Sequence, residues 1–244
     1  MRKDFKITTL TKKGTDYNMA NHYGVRFNTK GLIFWIDCET FNGESTVKDL
    51  VNGNVGTCTS VTKHSEGWFN FGTNANRIDF AGNSELAIGT GDFTAICWFY
   101  PTQIGADAFY RRIWMWDGPT GNNTNNPQMI LDKVDGSIYS FSGGDLDIQG
   151  GSTSIINGWH SAVMIRDGNT ITQYIDNVAD GTDSSFTLNT TSLNSGSPRF
   201  RLGSYNGGQG DYEGNIASVM IYNRALSTEE RTKIFNDQRG RFGV

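Results

Sequence analysis

The 244-residue chain contains little proline and little cysteine, four residues of the first and three of the second. Cys38, Cys58 and Cys97 are odd in number and scattered along the chain. None of them forms the Cys-x-x-Cys spacing of a zinc site or a disulfide framework. We therefore expect three reduced cysteines that pack as small apolar side chains, as in a protein that folds in a reducing cytoplasm.

The chain also lacks a long apolar run and an excess of positive charge. No segment approaches the ~20 apolar residues that a membrane-spanning helix needs, and the N-terminus shows no apolar core of a signal peptide. The formal net charge is -4. Proteins that bind nucleic acid usually carry a basic face, so we expect neither a membrane nor a nucleic acid as the partner.

Common catalytic motifs are missing as well. No serine has the Gly-x-Ser-x-Gly context of a nucleophile elbow. The glycine-rich run at 207–210 lacks the Lys-Ser/Thr that follows in a phosphate loop. His64 lies in a polar turn, and we interpret His160, beside Trp159, as structural.

Glycine and aromatic residues are what the chain has in abundance. Thirty glycines, 12% aromatic residues and frequent Asn-Gly, Asp-Gly and Gly-Gly pairs indicate many short strands joined by tight turns. A single all-β domain of this size is common. The composition therefore predicts one large all-β domain.

The strongest hairpin signal lies between Gly158 and Asn177. Two strand-like runs flank Asp167-Gly168-Asn169, where Gly tolerates the positive φ that a tight connection needs. The register is left open, since loops of two, three or four residues each fit.

Other strands follow from apolar runs of strand length. Gly31–Cys38 and Asp92–Pro101 are apolar on both faces, so we expect both strands to be covered on both sides, with Trp98 in the core. Further strands are predicted at 111–117, 128–131, 137–141, 145–148 and 199–204. Residues 180–197 are polar and predict a long loop or an edge segment.

One helix is predicted, near the C-terminus. Ser227 precedes Glu230 by three residues, the spacing of a capping box in which each side chain satisfies the backbone N–H of the other residue. We expect the helix to run through Ile234 and Phe235 and to end before Gly240.

Several of these segments resemble laminin-G-like domains of the concanavalin A-like lectin and glucanase superfamily. The resemblance rests on Gly31–Cys38, on Trp159-His160, on Tyr174-Ile175-Asp176-Asn177 and on the closing motif 213–230. It implies a concanavalin A-like jelly-roll sandwich of two antiparallel sheets with one short C-terminal helix, over residues 31–244. The tail 236–244 resembles the ends of laminin-G-like proteins of tailed bacteriophages.

The resemblance also bears on catalysis. Glucanases of this fold carry a Glu-x-Asp-x-x-Glu strand, which holds two carboxyl groups ~5 Å apart for retaining hydrolysis. Here Ile36-Asp37-Cys38-Glu39 lacks the first Glu, and Asp145-Leu146-Asp147 lacks the third carboxylate. We therefore expect no enzyme, with a divergent glycoside hydrolase as a minor alternative.

A calcium site is a weaker expectation from the same resemblance. Relatives have Asp-Gly where this chain has Gly72-Thr73, so one acidic ligand is missing. Calcium prefers six to eight oxygen ligands, several of them carboxylates. We predict no cofactor and name Asp37, Asn74 and Asp79 as the candidates should calcium bind.

Two loops have the composition of a carbohydrate site. Amide groups exchange hydrogen bonds with sugar hydroxyls, and aromatic faces stack on sugar C–H groups. The bland interpretation, a cluster of surface turns, stays open. The candidate binding residues are Trp116, Asp117, Asn122, Asn123, Asn125, Asn126, Tyr205, Asn206, Asp211 and Tyr212.

Residues 1–30 form a basic arm within an acidic protein. The arm is either a loosely packed terminus or an extension that docks on an acidic surface. Met19 is an alternative start. The docking residues would be Arg2, Lys3, Lys6, Lys12 and Lys13.

These features together favour a non-catalytic virion protein of a tailed phage, assembled in the host cytoplasm as capsid decoration or as part of a tail or fibre. It would be oligomeric, would contact other virion proteins through the arm and could hold host-surface glycans. The alternative is a carbohydrate-binding module without a virion role. The fold by itself does not choose between them.

Overall fold

The computed structural model describes residues 12–13, 16–17, 21–22, 25–26, 28–72, 75–80, 84–89, 91–104, 110–117, 127–132, 134–142, 145–149, 155–183, 199–204 and 210–244. Within these ranges the structure is built from short antiparallel strands and one α-helix. None of the helices in this part of the chain is long and apolar enough to cross a membrane.

The strands are β1 (Lys12–Lys13), β2 (Asp16–Tyr17), β3 (Asn21–His22), β4 (Val25–Arg26), β5 (Leu32–Asp37), β6 (Thr46–Lys48), β7 (Val55–Thr59), β8 (Thr62–Lys63), β9 (Phe69–Phe71), β10 (Arg77–Phe80), β11 (Phe93–Pro101), β12 (Arg111–Asp117), β13 (Gln128–Leu131), β14 (Ile138–Ser142), β15 (Asp145–Gln149), β16 (His160–Asp167), β17 (Thr170–Ile175), β18 (Val178–Asp183), β19 (Arg199–Leu202) and β20 (Gly214–Tyr222). Short 3-10 helices span Cys38–Thr40 and Ser84–Leu86, and helix α1 spans Thr228–Phe242.

Two eight-stranded antiparallel sheets make up the fold. The first, here the β12 sheet, has the order β15-β14-β13-β12-β19-β10-β7-β6. The second, here the β20 sheet, has the order β18-β17-β16-β11-β20-β9-β8, with β5 also paired to β20. The pairs β1-β2 and β3-β4 form two small hairpins within the predicted arm. The predicted two-sheet antiparallel sandwich is confirmed.

The main core fills the space between the two sheets. Phe34 of the β20 sheet contacts Phe80 and Phe200 of the β12 sheet, with ring centroids 4.8 and 5.2 Å apart. Alternate residues of β11, from Phe93 to Phe99, point into the same core. Because side chains of a strand alternate between its two faces, every second residue of these strands points into this core.

A second core lies on the outer face of the β20 sheet, beneath α1. Trp35, Ile96, Met220 and Tyr222 point outward from their strands and pack with Ile234 of the helix. Trp98 is fully buried and stacks on Phe235 and Phe242 of α1. The predictions that β5 and β11 are covered on both faces and that Trp98 is core are confirmed.

The start of α1 was predicted correctly and its end was not. Ser227 accepts from the backbone N–H of Glu230, and Glu230 accepts from that of Ser227, which completes the capping box. The helix continues through Gly240 and ends at Gly243, whose φ of 74° suits the left-handed C-cap. Phe242 continues the buried face of the helix, and this packing outweighs the low helix propensity of Gly240.

The predicted central hairpin is β16-β17, with a two-residue turn. Asp167 pairs with Thr170, which leaves Gly168 and Asn169 as the loop, and Gly168 has a φ of 59°. The polar segment after it begins as an edge strand, since β18 runs to Asp183. Residues 184–197 of that segment lie outside the described residues.

All three cysteines are free, as expected. Burial raises the pKa of the Cys58 thiol to about 11 and raises the pKa values of Cys38 and Cys97 as well. Such thiols stay protonated near neutral pH, so they behave as apolar side chains.

Candidate functional site

Trp116, the aromatic residue expected to stack on a sugar, is buried. Its exposed fraction is 0%, and its ring contacts Phe93 and Phe200 in the main core. The strand β12 turns this side chain inward, so its faces are occupied by protein. The expectation that Trp116 stacks on a sugar is therefore corrected.

Asp211 and Tyr212 are also turned inward. Asp211 accepts a hydrogen bond from the backbone N–H of Ala75, at 2.7 Å. Tyr212 is fully buried, and its hydroxyl donates to the carbonyl of Asn215 at 3.1 Å. Both residues hold neighbouring backbone in place.

The remaining candidates of the two loops have no described side chains. Asp117 is the last residue of β12, and only its backbone is described. Asn122, Asn123, Asn125, Asn126, Tyr205 and Asn206 lie outside the described residues. Their role in glycan binding stays a prediction.

The two described calcium candidates are engaged by arginines. Both carboxylate oxygens of Asp37 accept from Arg241, at 2.8 and 3.0 Å. Asp79 accepts from Arg201 at 2.5 Å and from Arg77 at 2.9 Å. Asn74 lies outside the described residues, and among those described no three His, Cys, Asp or Glu residues are grouped as a metal site would require.

The Asp37–Arg241 pair is a buried clasp between β5 and the last turn of α1. The exposed fractions of the two side chains are 2% and 9%. Burial alone would lower the pKa of Arg241, but Asp37, together with Cys38 and Glu39, outweighs it and raises that pKa. The geometry is the bidentate fork that guanidinium and carboxylate groups favour.

Other buried carboxylates bind backbone. Asp49 accepts from the N–H groups of Trp35, Val51 and Asn52. Asp132 accepts from that of Val134 at 2.5 Å. These aspartates organise turns and loop starts.

Within the described ranges, the carboxyl groups with shifted pKa values all stay ionised near neutral pH. Hydrogen bonds lower the pKa of Asp135 and Glu229, and the Arg224 side chain, with Ser227 and Asn28, lowers that of Glu230 to about 2. A glycosidase acid needs the opposite shift, because it must hold a proton near neutral pH. These three residues are therefore unsuited to the acid role.

Sequence reasoning missed a group of partly exposed residues at the end of α1. Trp68, Tyr100 and Trp159 are joined by ring contacts, and Asn70 and Asn215 lie on the same outer face of the β20 sheet. Strand alternation alone would have predicted their orientation. Tyr100 lies two residues beyond the outward-facing Trp98, and Asn70 lies between the inward-facing Phe69 and Phe71, so both point outward. The pairing of β9, β20 and β11 was needed to bring them together.

Comparison with known proteins places these observations in context. The sequence model of one family, described as "Concanavalin A-like lectin/glucanases superfamily", matches residues 71–230, more than half of the chain. A comparison with curated proteins found no match.

Solved structures resemble the fold at low sequence identity. A Trypanosoma rangeli sialidase is 14% identical with a TM-score of 0.67, covering 88% of this chain, which spans 34% of the sialidase. Domain 4 of AbnA, a GH43 extracellular arabinanase from Geobacillus stearothermophilus, in complex with arabinotriose, is 17% identical with a TM-score of 0.62. The match covers 83% of this chain and 97% of the arabinanase domain. The binding domain of Paraclostridial Mosquitocidal Protein 1 is 18% identical with a TM-score of 0.56. The match covers 84% of this chain and 52% of the toxin chain. At this identity the likeness shows the fold alone.

Proposed function

The chain belongs to the concanavalin A-like lectin/glucanases superfamily, and from that premise we propose that it is a non-catalytic, glycan-binding domain displayed on the virion of a tailed phage. The observation that carries the non-catalytic part is how the buried carboxylates are used. Asp37 pairs with Arg241, while Asp49, Asp132 and Asp211 bind backbone N–H groups. A retaining glycosidase needs two carboxyl groups kept free for a sugar.

Glycan binding is supported by the fold and by two of its structural neighbours. One is an arabinanase domain in complex with arabinotriose, and another is the binding domain of a toxin. The same fold also occurs within a sialidase, so binding is the function to test first and hydrolysis the second.

The virion role is supported by sequence alone. The closing motif at 213–230 and the tail at 236–244 resemble laminin-G-like proteins of tailed phages. The cationic residues Arg2, Lys3, Lys6, Lys12 and Lys13 would dock on an acidic surface of a neighbouring virion protein, because opposite charges attract across an interface. The protein would then be oligomeric within that assembly.

A glycan array with the full chain, followed by an assay for released reducing sugar on each glycan that binds, tests the first part. We expect binding without release. Release of sugar at a rate that scales with protein concentration would contradict the non-catalytic assignment.

Electron cryomicroscopy of particles that contain the chain tests the virion role. We expect residues 1–30 to be ordered against a neighbouring subunit. A charge-reversed variant, Lys12→Glu with Lys13→Glu, should enter particles less than wild type. If the variant entered particles as well as wild type and the arm showed no density, the docking proposal would be wrong.

A further inference from the structure

Helix α1 covers only part of the outer face of the β20 sheet. Its last buried side chain, Phe242, contacts Trp98, Trp68 and Trp159. Beyond this point the outer face carries partly exposed residues in place of a second core. We call them the aromatic-amide patch, which consists of Trp68, Asn70, Tyr100, Trp159 and Asn215.

The aromatic half of the patch is a supported, partly exposed surface. The ring of Trp159 meets Trp68 at 4.8 Å with an interplanar angle of 67°, and Tyr100 at 5.7 Å with an angle of 68°. Phe242 lies against Trp159 at 4.9 Å. Edge-to-face contacts of this kind hold the rings in one arrangement, so a ligand would meet a preformed surface at little cost in side-chain entropy.

The amide half lies in one row across three strands. Tyr100 pairs with Asn215, and Asn215 pairs with Asn70. The Nδ2 group of Asn70 donates to Oδ1 of Asn215 at 2.9 Å. The backbone carbonyl of Asn215 accepts from the buried Tyr212 hydroxyl, which fixes this residue from below.

This network leaves polar groups unused beside the rings. Within the part of the chain that the structure describes, no hydrogen bond engages Nδ2 of Asn215, the hydroxyl of Tyr100 or Nε1 of Trp159. All three residues are partly exposed, so these groups can reach a ligand. Hydroxyl groups of a sugar can both accept from and donate to such groups.

The patch contains no ionised side chain. Arg241 lies 5.1 Å from the Trp68 ring centroid, and its guanidinium is held by Asp37. Glu66 accepts from Nε1 of Trp68 at 3.4 Å. An acidic sugar would find no free cation in these five residues, so the chemistry favours a neutral ligand.

We propose that the aromatic-amide patch binds a neutral oligosaccharide, with sugar C–H groups against the Trp159 and Tyr100 rings and hydroxyl groups hydrogen-bonded to Asn215 and Tyr100. The inference rests on the proposed glycan-binding function and locates it on the outer face of the β20 sheet. The combination of aromatic faces with exposed amide donors distinguishes this patch from the largely apolar second core under α1.

The test begins with the wild-type full chain on an array of neutral gluco-, galacto-, manno- and arabino-oligosaccharides and of sialylated ones. The best-binding oligosaccharide is then titrated by calorimetry into two variants. Tyr100→Leu removes the ring and hydroxyl, while Asn215→Asp keeps the side-chain shape but removes its donors. Each should weaken binding by ~10-fold, the effect of losing about one good contact.

A matched control separates binding from folding. Tyr174 is a partly exposed tyrosine on the outer face of the same sheet, with Arg231 stacked 3.7 Å from its ring centroid. We expect Tyr174→Leu to bind the oligosaccharide as wild type does, at a temperature below the melting points of all variants. In an NMR titration, the indole N–H signal of Trp159, assigned with Trp159→Phe, should shift with the same affinity.

The outcomes distinguish the two proposals. If wild type binds a neutral oligosaccharide but both patch variants stay within twofold of it, the site is elsewhere and the glycan-binding function stands. The same holds if Tyr174→Leu loses binding equally or if sialylated probes bind best. If wild type binds no arrayed glycan, the function and the site are both overturned.

Discussion

Strand β20 passes through two different environments on the outer face of its sheet. At one end Met220 and Tyr222 are buried beneath α1. At the other end Asn215 lies beside Tyr100 and Asn70, and all three are partly exposed. The same strand therefore serves stability where the helix covers it, and presents polar and aromatic groups where the helix has ended.

The difference arises from where α1 stops. The buried clasp between Arg241 and Asp37 ties the last turn of the helix to β5. Gly243 then ends the helix in a left-handed conformation. One more turn of helix, about 5.4 Å, would extend the cover along the sheet, so the C-cap sets the boundary of the open surface.

Breaking the clasp should have the largest effect on this arrangement. Asp37→Asn leaves the buried Arg241 charge without its bidentate partner and with the more distant Glu39 carboxylate at 3.9 Å, and we expect a loss of about 3–5 kcal/mol in the free energy of unfolding. Urea denaturation measures it. The double variant Asp37→Asn with Arg241→Met should lose less than the sum of the two single variants, because it removes the uncompensated charge. A loss under ~1 kcal/mol in the single variant would contradict a structural role for the pair.

Two substitutions on β20 compare its ends directly. Met220→Ala opens a cavity beneath α1 and should cost about 2–5 kcal/mol. Asn215→Ala removes one partly exposed hydrogen bond and should cost about 0.5–1.5 kcal/mol. Thermal and urea unfolding of both variants give the comparison. Equal losses would mean that the open end is as important to the core as the covered end.

The start of α1 should respond to acid, with the smallest effect. The Glu230 carboxylate accepts hydrogen bonds from both terminal guanidinium nitrogens of Arg224, at 2.6 and 2.7 Å. Its pKa falls from 4.5 to about 2. A carboxyl group whose pKa is lower in the folded state adds stability above its unfolded pKa and loses it as pH falls toward the folded value. The advantage of wild type over Glu230→Gln should thus be full at pH 6 and shrink between about pH 4.5 and about pH 2. An advantage that is independent of pH would show that this pair does not titrate with folding.

Much of the fold could be predicted because its signals are local. The turn at Gly168, the apolar alternation of β11 and the Ser227–Glu230 capping box are each contained within a few residues. The candidate site could not be predicted in the same way. Trp116 has an aromatic ring of the kind that stacks on sugars, but β12 directs it inward, where it is buried against Phe93 and Phe200.

The sequence by itself determined the all-β class, the central hairpin, the capped C-terminal helix and the superfamily, because periodicity, turn chemistry and capping act between near neighbours in the chain. Tertiary structure alone decided which aromatic residues are covered and which acidic residues are neutralised. Arg241 reaches Asp37 across 204 positions, and Asn215 reaches Asn70 across 145. Contacts over such separations depend on strand order and on the packing of α1 against the sheet, which no local pattern encodes.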